Sequence, residues 1–247
     1  MKRTIRCYLT TEERLRRFFK SRRKSGVRIC VNSRRSAIKV GIKGKYPEKI
    51  QGVITRLESA LGEIFVREDE RSLPAVVVEA LKNKNLTICM SESCTGGLAS
   101  AMLTGVSGSS AVFWGSFITY SNNFKEKLGV DPSILAKHGA VSEQIVRQMT
   151  QASMKSSGAD ISISISGIAG PDGGTEDKPV GTVWIGLKMG DILEEAYEFH
   201  FSGNRESVRK KSCIAAFCLV MGILDGKILL DSLKKSKYSK LYSKQYK

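Results

Sequence analysis

Three short segments, each dense in small, hydroxyl-bearing and glycine residues, adjoin apolar runs that read as buried strands. This repeated pairing constrains the chain more than any other feature. The first is Ser91-Glu92-Ser93-Cys94-Thr95-Gly96-Gly97, fed by the run from Leu86 to Met90. The second, Tyr120-Ser121-Asn122-Asn123-Phe124-Lys125, closes the run from Val112 to Tyr120. The third extends from Gly167 to Gly181, between strands read at Ile161 to Ser166 and Thr182 to Met189. Chemically rich loops at strand ends are where open α/β sheets hold ligands, and a loop as long as the third, without structure of its own, is expected to be functional.

The intervening residues supply the helices and the remaining strand. Leu98 to Leu103 is an Ala-rich helix, and Lys127 and Gly129 mark the end of a short one. Asp131-Pro132 caps another that ends at His138-Gly139, and Ile145, Val146 and Met149 lie on an amphipathic helix running to Gly158. Ile192 to Phe201 pairs as a hairpin across Gly190-Asp191, and Ser202 to Arg205 caps a helix carrying Val208, Ile214 and Phe217 into the core.

The chain has 247 residues, 41% of them apolar, enough for one large domain or two smaller ones. No run of eighteen apolar residues and no signal-like N-terminal stretch is present, so a cytoplasmic protein without a membrane segment is expected. The six cysteines fall in or beside apolar runs without a CxxC pair and with only His138 and His200 to join them. They read as buried reduced thiols rather than as disulfides or a metal site.

The charge of +16 is concentrated at the ends. Residues 1–50 hold 17 Lys or Arg against three Glu, residues 227–247 hold seven Lys against one Asp, and the centre is mildly acidic. The first segment reads as a small α+β unit. Arg3 to Leu9 is a strand, and Thr10-x-x-Glu13 is a capping box before a helix with Leu15, Phe18 and Phe19 on one face. Val27 to Asn32 and Ala37 to Ile42 form a hairpin across Ser33-Arg34-Arg35-Ser36. Pro47 opens a second helix, and Glu63 to Val66 is a last short strand. The run Arg67-Glu68-Asp69-Glu70-Arg71 is taken as the boundary. The domains expected are therefore 1–70, 71–226 and a Lys-rich, disordered tail at 227–247. Basic residues on 1–50 suit nucleic acid, yet neither a stacking motif nor a GxxG loop accompanies them; a solvated basic face explains them as well.

Ser91 to about Asp225 resembles the C-terminal domain of the CinA family, the nicotinamide-nucleotide amidohydrolases. The shared blocks are ESCTGG, GSS, TYSN with Lys125, GAVSE at Gly139 to Glu143, GIAGPDGGT, KPVGTV and the Gly203-x-Arg205 helix start. Residues 1–70 resemble the KH-like middle domain of the longer CinA proteins. The resemblance implies hydrolysis of the carboxamide of nicotinamide mononucleotide to nicotinic acid mononucleotide and ammonia; no cofactor is expected, and a metal-activated water has no ligand cluster in the sequence to support it. A homo-oligomer is expected as well. The fold expected is a three-layer α/β/α domain with a mixed sheet, preceded by the small α+β domain.

Amide hydrolysis needs a nucleophile, a proton acceptor and donors for the oxyanion. Two histidines offer little for a Ser-His-Asp arrangement, which leaves a Ser-Lys pair, and the family match points to the same residues. Ser93, placed at a helix N-terminus, is the nucleophile and Lys125 its base, with Tyr120 relaying a proton or holding the lysine. Backbone N–H groups near Thr95 and Gly96 are the oxyanion donors. Arg205 is assigned to an anionic substrate group, with a surface ion pair as its alternative. Asp172 and Thr175 bind the ribose or shape their loop, Lys178 can be a solvated loop charge, and Cys94 is the second choice of nucleophile. Two other functions stay open: a nucleic-acid-binding accessory protein and a catalytically silent nucleotide-binding scaffold.

Overall fold

The computed structural model describes residues 1–10, 12–20, 26–34, 37–62, 66–69 and 71–228, without the side chains of Ser33 and Arg34. The chain divides into two units, Met1–Ser72 and Leu73–Lys247. The expected tail from Lys234 onward and part of the Ser33 to Ser36 turn lie outside the described residues.

In the first unit β1 (Lys2–Cys7), α1 (Glu12–Lys20), β2 (Val27–Arg34), β3 (Ala37–Gly44), α2 (Pro47–Leu61) and β4 (Val66–Arg67) follow one another. The strands form an antiparallel sheet in the order β2-β3-β1-β4. This is the split βαβ connectivity of ferredoxin-like folds. Strict alternation turns Ile5, Cys7, Ile38, Val40 and Ile42 inward, where Leu15 and Phe19 of α1 and Ile50, Val53, Ile54 and Leu57 of α2 cover them. Both helices therefore lie on one face. Thr10 does not form the expected capping box: its hydroxyl is buried without a partner among the described residues, while Glu12 and Glu13 pair with Arg16 and Arg17 one turn on. The charged run taken as the boundary lies at the end of the first unit, which closes at Ser72. Arg67 belongs to β4, Glu68 is held by Arg3, and the Asp69 carbonyl accepts from Arg6. Of the strand read at Glu63 to Val66, only Val66 falls among the described residues.

The second unit runs α3 (Leu73–Lys84), β5 (Ile88–Glu92), α4 (Leu98–Thr104), a 3-10 turn (Ser109–Ala111), β6 (Phe113–Ile118), α5 (Asn122–Leu128) and α6 (Pro132–His138). It continues through α7 (Glu143–Ser157), β7 (Ile161–Gly167), β8 (Thr182–Met189), β9 (Leu193–His200) and α8 (Arg205–Leu224). The sheet order is β6-β5-β7-β8-β9, parallel among the first three strands and antiparallel beyond.

The alternation Ile161-Ser162-Ile163-Ser164-Ile165-Ser166 decides what covers each face. Ser162 Oγ lies 2.8 Å from Ser153 Oγ and Ser164 Oγ 2.6 Å from Thr150 Oγ1, both on α7. The isoleucines, fully buried, point to the other face, where α8 packs. Three layers result. The serine face works only because it is shallow: a Cβ on Gly186, opposite Ser164, would lie 2.5 Å from Ser164 Oγ and 2.6 Å from the Val146 carbonyl. Helix α8 is buried nearly all round from Ser212 to Leu224, between the sheet and α3 with α4. No described helix is long and apolar enough to cross a membrane. Five of the six cysteines are buried, but Cys30, expected inside, is exposed on β2.

Candidate active site

Parallel pairing brings the three loops together. Glu92, the last residue of β5, sits beside Ile118 of β6 on one side and Ile165 of β7 on the other. Consequently the residues that follow these strands emerge side by side at one carboxyl edge of the sheet. Ser93 comes first, fixed by its N–H donating to the Ile165 carbonyl at 2.9 Å.

The strand extends further than the apolar run suggested: Ser91 and Glu92 belong to β5, and α4 starts only at Leu98. Ser93 therefore stands in a turn before the helix, not at its N-terminus. That N-terminus is occupied. The buried Glu92 carboxylate accepts from the N–H groups of Gly97, Ala99 and Ser100 at 2.9–3.1 Å and from Ser100 Oγ. The first amides of α4 are thus capped from within, by a carboxylate in the place an outside anion would take.

Ser121 caps α5 by accepting from Phe124 N–H, and Gly129 ends it in a left-handed conformation. One turn into this helix Lys125 points inward with only 1% of its surface exposed. Its Nζ lies 3.0 Å from Ser93 Oγ, 2.8 Å from the Thr119 carbonyl and 3.4 Å from the Tyr120 carbonyl. All three neighbours are neutral acceptors, so desolvation dominates, and burial pushes the Lys125 ammonium down to about 8.

Other expected residues fall differently. Tyr120 approaches Lys125 through its carbonyl; its side chain is exposed, and the phenol oxygen accepts from Arg205 at 3.1 Å. Arg205, at the start of α8 behind the Asn204 cap, also donates to the Gly170 carbonyl at 2.9 Å. It joins the second and third loops and makes no ion pair among the described residues. The Gly96 amide is committed to the Ser93 carbonyl at 3.0 Å, which leaves the Thr95 amide without a partner among the described residues. The Thr95 and Thr119 hydroxyls are likewise buried and unpartnered. Burial raises the Cys94 thiol to about 12, which disfavours a thiolate at this position.

The third loop is self-braced. Thr175 exchanges hydrogen bonds with Lys178, whose Nζ donates to the His138 carbonyl at 2.8 Å and so is not a free solvated charge. Asp172 and Thr175 are exposed on this loop and make no hydrogen bond to Ser93 or Lys125 among the described residues. Two residues were missed in the sequence. Glu92 was read as part of a turn. Arg209, which donates to the Thr95 carbonyl at 2.5 Å, follows Arg205 by four residues on α8, a spacing that puts both on one helix face. No group of His, Cys, Asp or Glu suited to a metal occurs among the described residues.

Fold and site together define an α/β domain built around a buried serine-lysine pair at the carboxyl edge of a mixed sheet. Residues 70–224 match the family model described as the CinA C-terminal domain, and the chain belongs to the CinA family. A CinA-like protein of Syntrophomonas wolfei is 44% identical over 189 residues, 76% of this chain and 42% of its own length. One of Geobacter sulfurreducens is 35% identical over 204 residues, 80% and 49% of the two chains. The chain thus spans less than half the length of these relatives. Among solved structures, the competence/damage inducible protein CihA of Agrobacterium tumefaciens superposes with a TM-score of 0.60 at 34% identity, covering 62% of this chain and 93% of that one. A CinA superfamily protein of Klebsiella pneumoniae gives the same score and identity over 62% and 96%.

Proposed function

We propose that the chain is an amidohydrolase that converts nicotinamide mononucleotide to nicotinic acid mononucleotide and ammonia. The observation that carries this reading is the 3.0 Å approach of the buried Lys125 amine to Ser93 Oγ. With its pKa near 8, about a tenth of Lys125 is neutral at pH 7 and able to take the Ser93 proton.

Ser93 Oγ attacks the carboxamide carbon as its proton passes to Lys125 Nζ. The oxyanion forms opposite the free Thr95 amide. The C–N bond breaks as Lys125 returns the proton to the departing nitrogen, releasing ammonia. Water then attacks the acyl-serine, its proton going to Lys125, and the carboxylate leaves as Ser93 is restored. Arg205, unpaired with any described carboxylate, serves the substrate phosphate.

The test is ammonia release from nicotinamide mononucleotide by the parent, Ser93→Ala and Lys125→Ala, with folding checked by circular dichroism. Turnover by the parent, lost in both variants, supports the reading. A folded parent that releases no ammonia overturns the substrate, and a Lys125→Ala protein with undiminished turnover overturns the mechanism.

A further inference from the structure

The face of the first unit's sheet that carries no helix has an unusual composition. The residues turned away from the core are Lys2, Thr4 and Arg6 on β1, Arg28, Cys30 and Asn32 on β2, Lys39, Gly41 and Lys43 on β3, and Arg67 on β4. Six are cations, and none is acidic or aromatic. Arg28 lies opposite Lys43, which lies opposite Lys2; at the other end Lys39 lies opposite Arg6, which lies opposite Arg67. Like charges directly opposed across strands destabilise a sheet, so this pattern carries a cost within the fold itself. At the β4 edge Asp69, held by Arg71, lies near Arg67 and offsets part of it. Lys2, Arg28, Lys39 and Lys43 have no acidic partner among the described residues.

We propose that this face binds the phosphate backbone of duplex DNA without sequence preference, a role independent of the amidase reading. Two rows of cations four residues apart stand about 13 Å from each other, comparable with the roughly 12 Å width of the major groove that separates two phosphate strands. A face without aromatic side chains among its described residues lacks the stacking platform that single strands use, whereas a duplex keeps its bases stacked inside and offers phosphates alone. The alternation that turns the aliphatic residues toward α1 and α2 is what gathers the charges on one side.

The experiment is fluorescence anisotropy of the full chain with a short labelled DNA duplex and with one of its single strands, at about 50 and 200 mM salt. Micromolar binding of the duplex is expected, weakening about a hundredfold across that range if some four phosphates are neutralised. The Arg28→Glu, Lys39→Glu, Lys43→Glu protein is expected to lose at least about thirtyfold in affinity and to flatten the salt slope by about 3. A matched protein, Lys20→Glu, Lys49→Glu, Arg56→Glu, makes the same charge change on the exposed surfaces of α1 and α2 and is expected to bind nearly as the parent does. Absence of duplex binding at low salt overturns the proposal, as do tighter binding of the single strand and equal losses in the two triple variants. Thermal melting of each variant separates loss of binding from loss of fold.

Discussion

Lys125 Nζ sits 3.0 Å from Ser93 Oγ, although the two residues are 32 positions apart and belong to different loops. Neither loop could make this approach alone. The lysine is buried among neutral acceptors, so its titration is expected to bear on the proposed chemistry and on stability alike.

For the proposed hydrolysis, kcat/KM should rise about tenfold per pH unit below 8 and level off above it, because the neutral amine is the active form. A rate that is flat between pH 6 and 9 counts against Lys125 as the base.

The same group links pH to folding. Its pKa is depressed from 10.5 to about 8 in the folded protein, so between those values the unfolded chain binds more protons. Stability contributed by Lys125 is therefore lowest below pH 8 and recovers as pH climbs toward 10.5. Denaturant midpoints of the parent and Lys125→Met should converge over that interval, and parallel curves would dismiss the linkage.

Tyr120 and Arg205 separate two kinds of role. Removing the phenol in Tyr120→Phe leaves the carbonyl that faces Lys125 intact, so kcat should fall less than about tenfold, short of the 10²–10⁴-fold typical of a lost proton-transfer group. Arg205→Ala removes the link to Gly170 and the proposed phosphate contact. It should raise KM for the mononucleotide far more than for the riboside, which keeps the cationic pyridinium ring but lacks the phosphate. Steady-state kinetics on both substrates decide the matter.

Glu92 should matter to stability rather than to turnover alone. Its carboxylate accepts three backbone N–H bonds and one from Ser100 Oγ, and Glu92→Gln turns an amide donor toward those donors. A loss of about 2–3 kcal/mol is expected from urea unfolding, the usual scale for hydrogen bonds to a buried charged group. A loss below about 0.5 kcal/mol would mean that the cap is dispensable.

Gly186→Ala probes the shallow serine face, since its Cβ would press on Thr150, Ser164 and the Val146 carbonyl of the packed α7. Overpacking of this kind costs about 1–3 kcal/mol, readable as a lowered melting temperature. An unchanged melting temperature would show that α7 can retreat from β8.

Local pattern alone announced most of the elements. The alternation at Ile161 to Ser166, the Asp131-Pro132 and Ser202 to Arg205 helix starts and the glycine stops all fall where the structure has β7, α6, α8 and their ends. These signals act over a few residues, through side-chain period and backbone conformation, and need no knowledge of the rest of the chain. The pairing of Ser93 with Lys125 was also legible, through the similarity of the loop blocks to a family. What the sequence could not settle depends on distant groups competing for one position. Glu92 reads locally as a turn residue, yet the neighbouring β6 and β7 extend β5 through it, and its carboxylate takes the amides that Ser93 was expected to adjoin. Tyr120 looks like a partner for lysine by proximity in the chain, but the end of β6 turns its phenol toward Arg205 on α8, 85 residues on. The cations of the first unit are visible as a count, while their gathering on the face opposite α1 and α2 follows from strand register and from both helices covering the other. Composition and period thus determined the elements and the chemical types available. Register and packing decided which groups meet, because a hydrogen bond or a buried charge is fixed by whatever the fold brings within about 3 Å of it.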